Sequence, residues 1–292
     1  MKPAPFDYHC ADSIEEAVAL LARHSADAKI IAGGQSLMPM LNFRVVKPSL
    51  LIDIGKLVEL DYVRERPDGG LTIGALTRHR TLETSPLVAR RFPVIPETMQ
   101  HVAHLAIRNR GTIGGSLSHA DPAAELPMLA KLLNAVIIVQ SESGERHIPA
   151  QDFFVGALTN ALEDNEIVVR IELPGLPAGS GSAFEEFARR AGDFALAAVG
   201  AVLVVNAGKV TQARVAMMGV GDTPLRCPGA ELALVGQVLS EEVLDRAVEA
   251  ACAPLEPNRD LHASPEYRKH LASVLCRRVL RTAWARAGAS HE

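Results

Sequence analysis

Two glycine pairs carry most of the chemical potential of this chain. Gly33 and Gly34 lie in KIIAGGQSLMPML (29–41), and Gly114 and Gly115 in RGTIGGSLSHADPAAELP (110–127). Each pair follows an apolar stretch and precedes small polar side chains, Gln35 and Ser36 in the first and Ser116 in the second. Glycine tolerates positive φ and leaves no Cβ in the way, so consecutive amides can point into one concavity. Such a nest suits an anion, above all a diphosphate. Asp121-Pro122 ahead of AAELPMLAKLL reads as an N-cap with proline at the first helical position, which would add a helix dipole to the same field. Either pair alone is also what a tight turn uses; the repetition of the pattern favours paired anion-binding loops. The phosphate loop G-x-x-x-x-G-K-[ST], the dinucleotide motif G-x-G-x-x-G between strand and helix, and the nucleophile elbow G-x-S-x-G are all missing.

The elements that must hold these loops follow from periodicity. DSIEEAVALLARH (12–24) reads as an amphipathic helix with Ser13 and Glu16 as a capping box, and it leads into the strand KIIAG. LLIDIG (50–55) is a second strand. Asp68-Gly69-Gly70 separates two apolar runs as a hairpin turn does. PETMQHVAHLAI (96–107) reads as one helix ending at RNRG, with the second glycine pair just beyond. AVIIVQSESGERHIPA (135–150) is a hairpin and NEIVVRIELP (165–174) a strand. The Pro-, Gly- and Ser-rich stretch 174–182 marks a boundary. Strands then occupy the region up to Val220, and three helices begin near Pro228, Ser240 and Pro265. Strands followed by helices make the second half an α+β domain with a small antiparallel sheet.

With 292 residues, 48% of them hydrophobic and 22% charged, the chain suits two moderate cores. A net charge of -4 without a basic block argues against nucleic acid as a partner. The longest apolar run, FALAAVGAVLVV, is 12 residues, too short to cross a bilayer, and MKPAPFDYHC lacks the pattern of a signal peptide. The expected location is the cytoplasm. Cys10, Cys227, Cys252 and Cys276 are scattered, with no C-x-x-C pair, so an iron–sulfur cluster would have to sit on another chain. His101 and His104 are spaced to share a helix face but lack a third metal ligand at telling spacing. Arg108, Arg110 and His119 gather around the second loop, as solvated or pairing residues or as phosphate or partner contacts. Glu185 and Glu186 are adjacent on a strand and so face opposite ways. The basic last helix reads as a packed helix with a solvated face, or as a docking surface.

IIAGGQSLMPMLNFRVVKPSLLIDI, AIRNRGTIGGSLSHADPAAELP and FEEFARRAGDFALAAV, taken in order, resemble the FAD-binding medium subunit of the molybdenum hydroxylases, the family of carbon monoxide dehydrogenase and xanthine dehydrogenase. The resemblance runs from about Phe6 to Trp284. It implies an α+β chain: an FAD-binding domain of the vanillyl-alcohol-oxidase type with two subdomains at 1–176, and at 177–292 a smaller domain with a three-stranded antiparallel sheet and a helical bundle.

Residue by residue, the resemblance places Ala32, Gly33, Gly34, Gln35, Ser36 and Leu37 on one side of the FAD diphosphate and Thr112, Ile113, Gly114, Gly115 and Ser116 on the other. Glu125 matches an acidic position on the adenosine side, and Leu162 an apolar one against the cofactor. Val102 matches a residue over the isoalloxazine ring, with Asp193 and Phe194 on its other side. The family's usual histidine, asparagine and tyrosine are here Gln35, Ser116 and Phe194, and Leu196 replaces the lysine of xanthine dehydrogenases. These departures bear on flavin tuning and on NAD as acceptor. The implied function is an electron relay: FAD on this chain, molybdopterin on a large partner subunit, [2Fe-2S] clusters on a small one, assembled as a dimer of heterotrimers. No residue here is expected to be catalytic. The motifs look nearer to members serving N-heterocycle and aromatic hydroxylases, with a carbon monoxide dehydrogenase subunit or a stand-alone FAD oxidase as alternatives.

Overall fold

A computed structural model describes residues 1–289. The chain opens with β1 (Asp7–Cys10), α1 (Ile14–His24), β2 (Ala28–Ile31), α2 (Leu37–Asn42) and β3 (Leu50–Asp53). The three strands form a parallel sheet ordered β1-β3-β2. Half of the expected capping box forms: Ser13 Oγ accepts the Glu16 amide at 3.1 Å, while the Glu16 carboxylate reaches past the cap to accept the Asp12 amide at 2.7 Å. α1 buries Ala17, Val18 and Leu21 against this sheet.

A second layer is antiparallel, ordered β4-β5-β10-β6-β7: β4 (Val63–Glu65), β5 (Leu71–Gly74), β6 (Val136–Ser141), β7 (Gly144–Pro149) and β10 (Ile167–Leu173). The expected turn at Asp68 is there, with the Gly70 amide donating to Asp68 Oδ1 at 2.9 Å. Between β5 and β6 run α3 (His79–Thr84), α4 (Pro86–Arg91), α5 (Val94–Met99), α6 (Leu105–Arg108), α7 (Ile113–His119) and α8 (Glu125–Leu132). A short α9 (Ala150–Phe153) and the two-stranded β8 (Phe154–Gly156) and β9 (Thr159–Asn160) precede β10.

Three details differ from expectation. The helix expected over 96–107 is two helices, because Ala103 takes φ 42 and the Val102 and Ala103 carbonyls are held by Arg108 Nη1 at 2.9 and 3.1 Å. His101 and His104 therefore share no helix face. Asp121 is not a helix cap: its Oδ1 closes a local turn onto the Ala123 amide at 2.9 Å, and Ala124 is the N-cap of α8. The second glycine pair lies inside the first turn of α7 rather than in an open loop.

The second half pairs β11 (Ser180–Ala188), β12 (Ala195–Asn206) and β13 (Lys209–Met218) antiparallel, with a two-residue β14 (Leu225–Arg226) at the edge. α10 (Pro228–Leu234), α11 (Glu241–Cys252) and α12 (Pro265–Ala289) cover one face. The other face packs on the first half: Phe184, Ala198, Val202, Ala216 and Met218 share a core with Leu126, Met128 and Leu132. β12 is buried from Ala195 to Val205 because both its faces are covered. Glu186 turns inward and Glu185 outward to Arg278 at 2.9 Å, as strand alternation requires. α12 spends its basic face within the chain, Arg281 on Glu241 and Arg286 on Glu97 of α5 at 2.7 Å.

Candidate functional site

β2 ends at Ile31 because Gly34, at φ 71, takes a conformation costly for other residues. The chain turns there into α2, whose first main-chain bonds are Met38 to the Gly34 carbonyl (3.0 Å) and Met40 to the Ser36 carbonyl (3.2 Å). Ahead of them the amides of Gly33, Gly34, Gln35, Ser36 and Leu37 find no acceptor among the described residues. The Gln35 side chain folds back, Nε2 donating to the Gly33 carbonyl at 2.9 Å, so it shapes the turn rather than reaching outward. The first loop is thus a run of consecutive main-chain donors, the arrangement that binds an anion.

The second loop sits directly against it. A Cβ on Gly33 would overlap the Arg110 carbonyl oxygen and lie 3.0 Å from the Gly111 Cα. Side-by-side passage of the two backbones therefore requires glycine at 33. The expectation that both loops aim their amides at one anion needs correction in the second. There the Ile113 amide donates to Thr77 (3.0 Å), Gly114 to Ala75 (2.9 Å), Ser116 to Thr112 (3.0 Å) and Gly115 to Thr112 Oγ1 (3.1 Å). Thr112 caps α7, and a one-residue bridge to Arg78 ties the loop to the segment after β5. Gly114 is glycine because Ala75 fills the space, a Cβ there lying 2.7 Å from the Ala75 Cβ. What this loop offers a ligand is the exposed face of Gly115 and the Ser116 hydroxyl, while Thr112 and Ile113 are buried as the cap and the anchor of α7.

A second meeting point lies 102–104 to 192–194. Gly192, at φ 84, packs on the turn between α5 and α6, where a Cβ would be 2.6 Å from His104 Cε1 and 3.0 Å from the Ala103 carbonyl oxygen. Val102 is buried beside this contact, whereas Phe194 is 66% exposed and Asp193 is exposed, its amide closing a turn onto Arg190 at 3.1 Å. Leu162, half-buried, is tied to the far end of α7: its amide donates to Asn160 Oδ1 (2.9 Å), and Asn160 Nδ2 donates to the Ser118 carbonyl (2.6 Å). Ala32 and Leu37 flank the first turn, half-buried.

Glu125 begins α8 at 7% exposure. Burial pushes its carboxyl up to about 8; its own amide and His101 oppose the rise, and the Glu186 and Asp121 carboxylates add to it. His101 Nδ1 lies 3.4 Å from Glu186 Oε1, which raises the imidazole's pKa, and its ring meets Phe184 edge-on. Sequence reasoning missed the residues behind the second loop: Ala75, Thr77, Arg78 and His79. Nothing in LTIGALTRH marks them, since their partners are main-chain atoms over thirty positions away.

Residues 4–176 match the family model described as the FAD binding domain in molybdopterin dehydrogenase, and residues 182–283 the CO dehydrogenase flavoprotein C-terminal domain. The 6-hydroxypseudooxynicotine dehydrogenase complex subunit alpha of Paenarthrobacter nicotinovorans is 44% identical, covering 100% of this chain and 99% of that one. A chain of the carbon monoxide dehydrogenase from Hydrogenophaga pseudoflava superposes with TM-score 0.96 at 40% identity over 98% of this chain and 99% of its own length. For a chain of quinoline 2-oxidoreductase from Pseudomonas putida 86 the TM-score is 0.93, at 40% identity and with 98% and 99% covered.

Proposed function

From a chain that belongs to the FAD-binding subunits of the molybdenum hydroxylases, an oxidoreductase family, we propose an electron relay that holds FAD across the two glycine loops. The observation that supports this reading is the contact of Gly33 with Arg110 and Gly111, which seats the turn carrying five unpaired amides against the loop that leads to Gly115 and Ser116. A diphosphate fits this donor set, since main-chain donors neutralise it without a lysine or a metal ion. Ala32 and Leu37 flank the diphosphate loop, and Thr112 and Ile113 hold its counterpart. Val102 shapes one side of the flavin ring, Asp193 and Phe194 the other, and Leu162 and Glu125 complete the contacts. Bound there, FAD supplies the exchange between one-electron and two-electron transfer, and the chain's part is to hold and orient it.

The wider assembly belongs to the same reading. The organic substrate reacts on a large molybdopterin subunit, a small [2Fe-2S] subunit passes electrons to this chain, and the three form a dimer of heterotrimers in the cytoplasm. Residues 1–176 form the domain that carries the cofactor between its two subdomains, and 177–292 the smaller domain, which contributes Asp193 and Phe194. The relatives named for quinoline and 6-hydroxypseudooxynicotine support an N-heterocyclic or aromatic substrate. The isolated chain should purify yellow, with FAD identified by the mass of the released cofactor. A colourless chain that fails to take up added FAD would overturn the reading. Purification from the native host should bring both partner subunits, and the complex should reduce an artificial acceptor with quinoline but not with carbon monoxide.

A further inference from the structure

His79 begins α3, packed against the second loop, at 7% exposure. Its main-chain amide donates to the Gly111 carbonyl at 2.9 Å, and its ring Nε2 lies 3.0 Å from the Thr112 carbonyl oxygen. The ring also covers Gly111, where a Cβ would come within 2.8 Å of Cε1 and 2.9 Å of Nδ1. A carbonyl can only accept, so Nε2 must carry the proton. Nδ1 is then a bare acceptor, buried without a partner. Burial, with the Arg108 and Arg78 guanidiniums nearby, lowers the imidazole to about 4, so it stays neutral and keeps this tautomer at physiological pH. Next to it, Arg78 Nη1 donates to the Arg110 carbonyl, the oxygen on which Gly33 rests. Three successive carbonyls, of Arg110, Gly111 and Thr112, are thus held by two adjacent residues.

We propose that His79 is a positioning residue for cofactor binding: its Nε2–H holds the Thr112 carbonyl so that the second loop stays seated against the Gly33 turn. The inference rests on the FAD reading above. Histidine is suited to the place because it reaches the carbonyl with a neutral, rigid donor, and an imidazole left with a bare Nδ1 is stable there only while that donor bond is made. The residue touches no cofactor atom itself; it acts through main chain.

The test compares His79→Gln with His79→Asn in the full-length chain. Glutamine places an amide N–H near the position of Nε2, whereas asparagine has the same polarity but is too short. His79→Gln should retain FAD as the unaltered chain does, while His79→Asn should bind it about tenfold more weakly, the cost of one lost buried hydrogen bond. Trypsin cleavage after the exposed Arg110, followed on cofactor-free protein, should quicken in the asparagine variant only. Equal FAD affinity and equal cleavage in all three proteins would overturn the inference, as would a folded glutamine variant that behaves like asparagine. If the unaltered chain takes up no FAD, the FAD reading fails by itself, and the trypsin comparison still decides whether His79 holds the loop.

Discussion

Replacing Gly33 by alanine puts a methyl group where the Arg110 carbonyl lies, and backbone on both sides leaves no flexible atom to yield. Gly33→Ala should push the two loops apart, cost about 1–3 kcal/mol as overpacking does, and lower flavin per chain in the visible spectrum. Unchanged flavin content would refute the seating of one loop on the other. Glu125 offers a prediction with a definite sign. Its folded pKa of about 8 lies above the ordinary carboxyl value of 4.5, so the folded state keeps a proton that the unfolded chain releases. Its contribution is complete below pH 4.5 and is lost as pH rises toward 8. Glu125→Gln mimics the protonated form. Thermal unfolding of cofactor-free protein should therefore show the variant equal to the parent near pH 4.5 and more stable near pH 8, by about 1–4 kcal/mol. A gap that narrows as pH rises would contradict the burial argument.

At the scale of elements, α7 depends on its cap. Thr112 Oγ1 accepts the Gly115 amide, and in doing so keeps that amide from the solvent-facing side of the loop. Thr112→Val should cost about 1 kcal/mol of stability by chemical denaturation, and Thr112→Ser should restore it. Further along the chain, Ala103 interrupts what would otherwise be one helix. Held at φ 42 between α5 and α6, with its carbonyl on Arg108, it directs Val102 inward and presents the turn to Gly192. Ala103→Gly should stabilise the chain by about 1 kcal/mol, since glycine adopts the left-handed region freely. A β-branched residue there should destabilise it by more.

The whole molecule has two sequence halves but no gap between their cores. Gly200 of β12 packs against Met128 and Leu132 of α8, where a Cβ would lie 2.8 Å from Leu132 Cδ2, and Arg286 of α12 reaches Glu97 and the Ser182 carbonyl. The sheet of the second half is sandwiched between its own helices and the first half. The full chain should therefore unfold in one calorimetric transition. A fragment ending at residue 176 should aggregate or bind a hydrophobic dye, because it would expose the face that Phe184, Val202 and Met218 cover. A soluble fragment with its own sharp transition would show the halves to be independent.

The sequence by itself determined the family and most local elements, the split at Ala103 and the turn at Asp121 being exceptions. Ser13, the Asp68 turn, the apolar run of β10 and the helix starts at Pro228, Ser240 and Pro265 are short-range signals, and short-range physics sets them. The glycine pairs were legible as special backbone because glycine is chosen for what it omits. Only the tertiary structure decided which omission each serves: Gly33 makes room for the Arg110 carbonyl, Gly34 takes positive φ, and Gly114 yields to Ala75. It also decided that the second loop spends its amides on Ala75, Thr77 and Thr112 while the first keeps its own free. The reason is physical. A main-chain donor is present at nearly every residue, so residue type does not say whether it is satisfied; that depends on which distant carbonyl the fold brings to it.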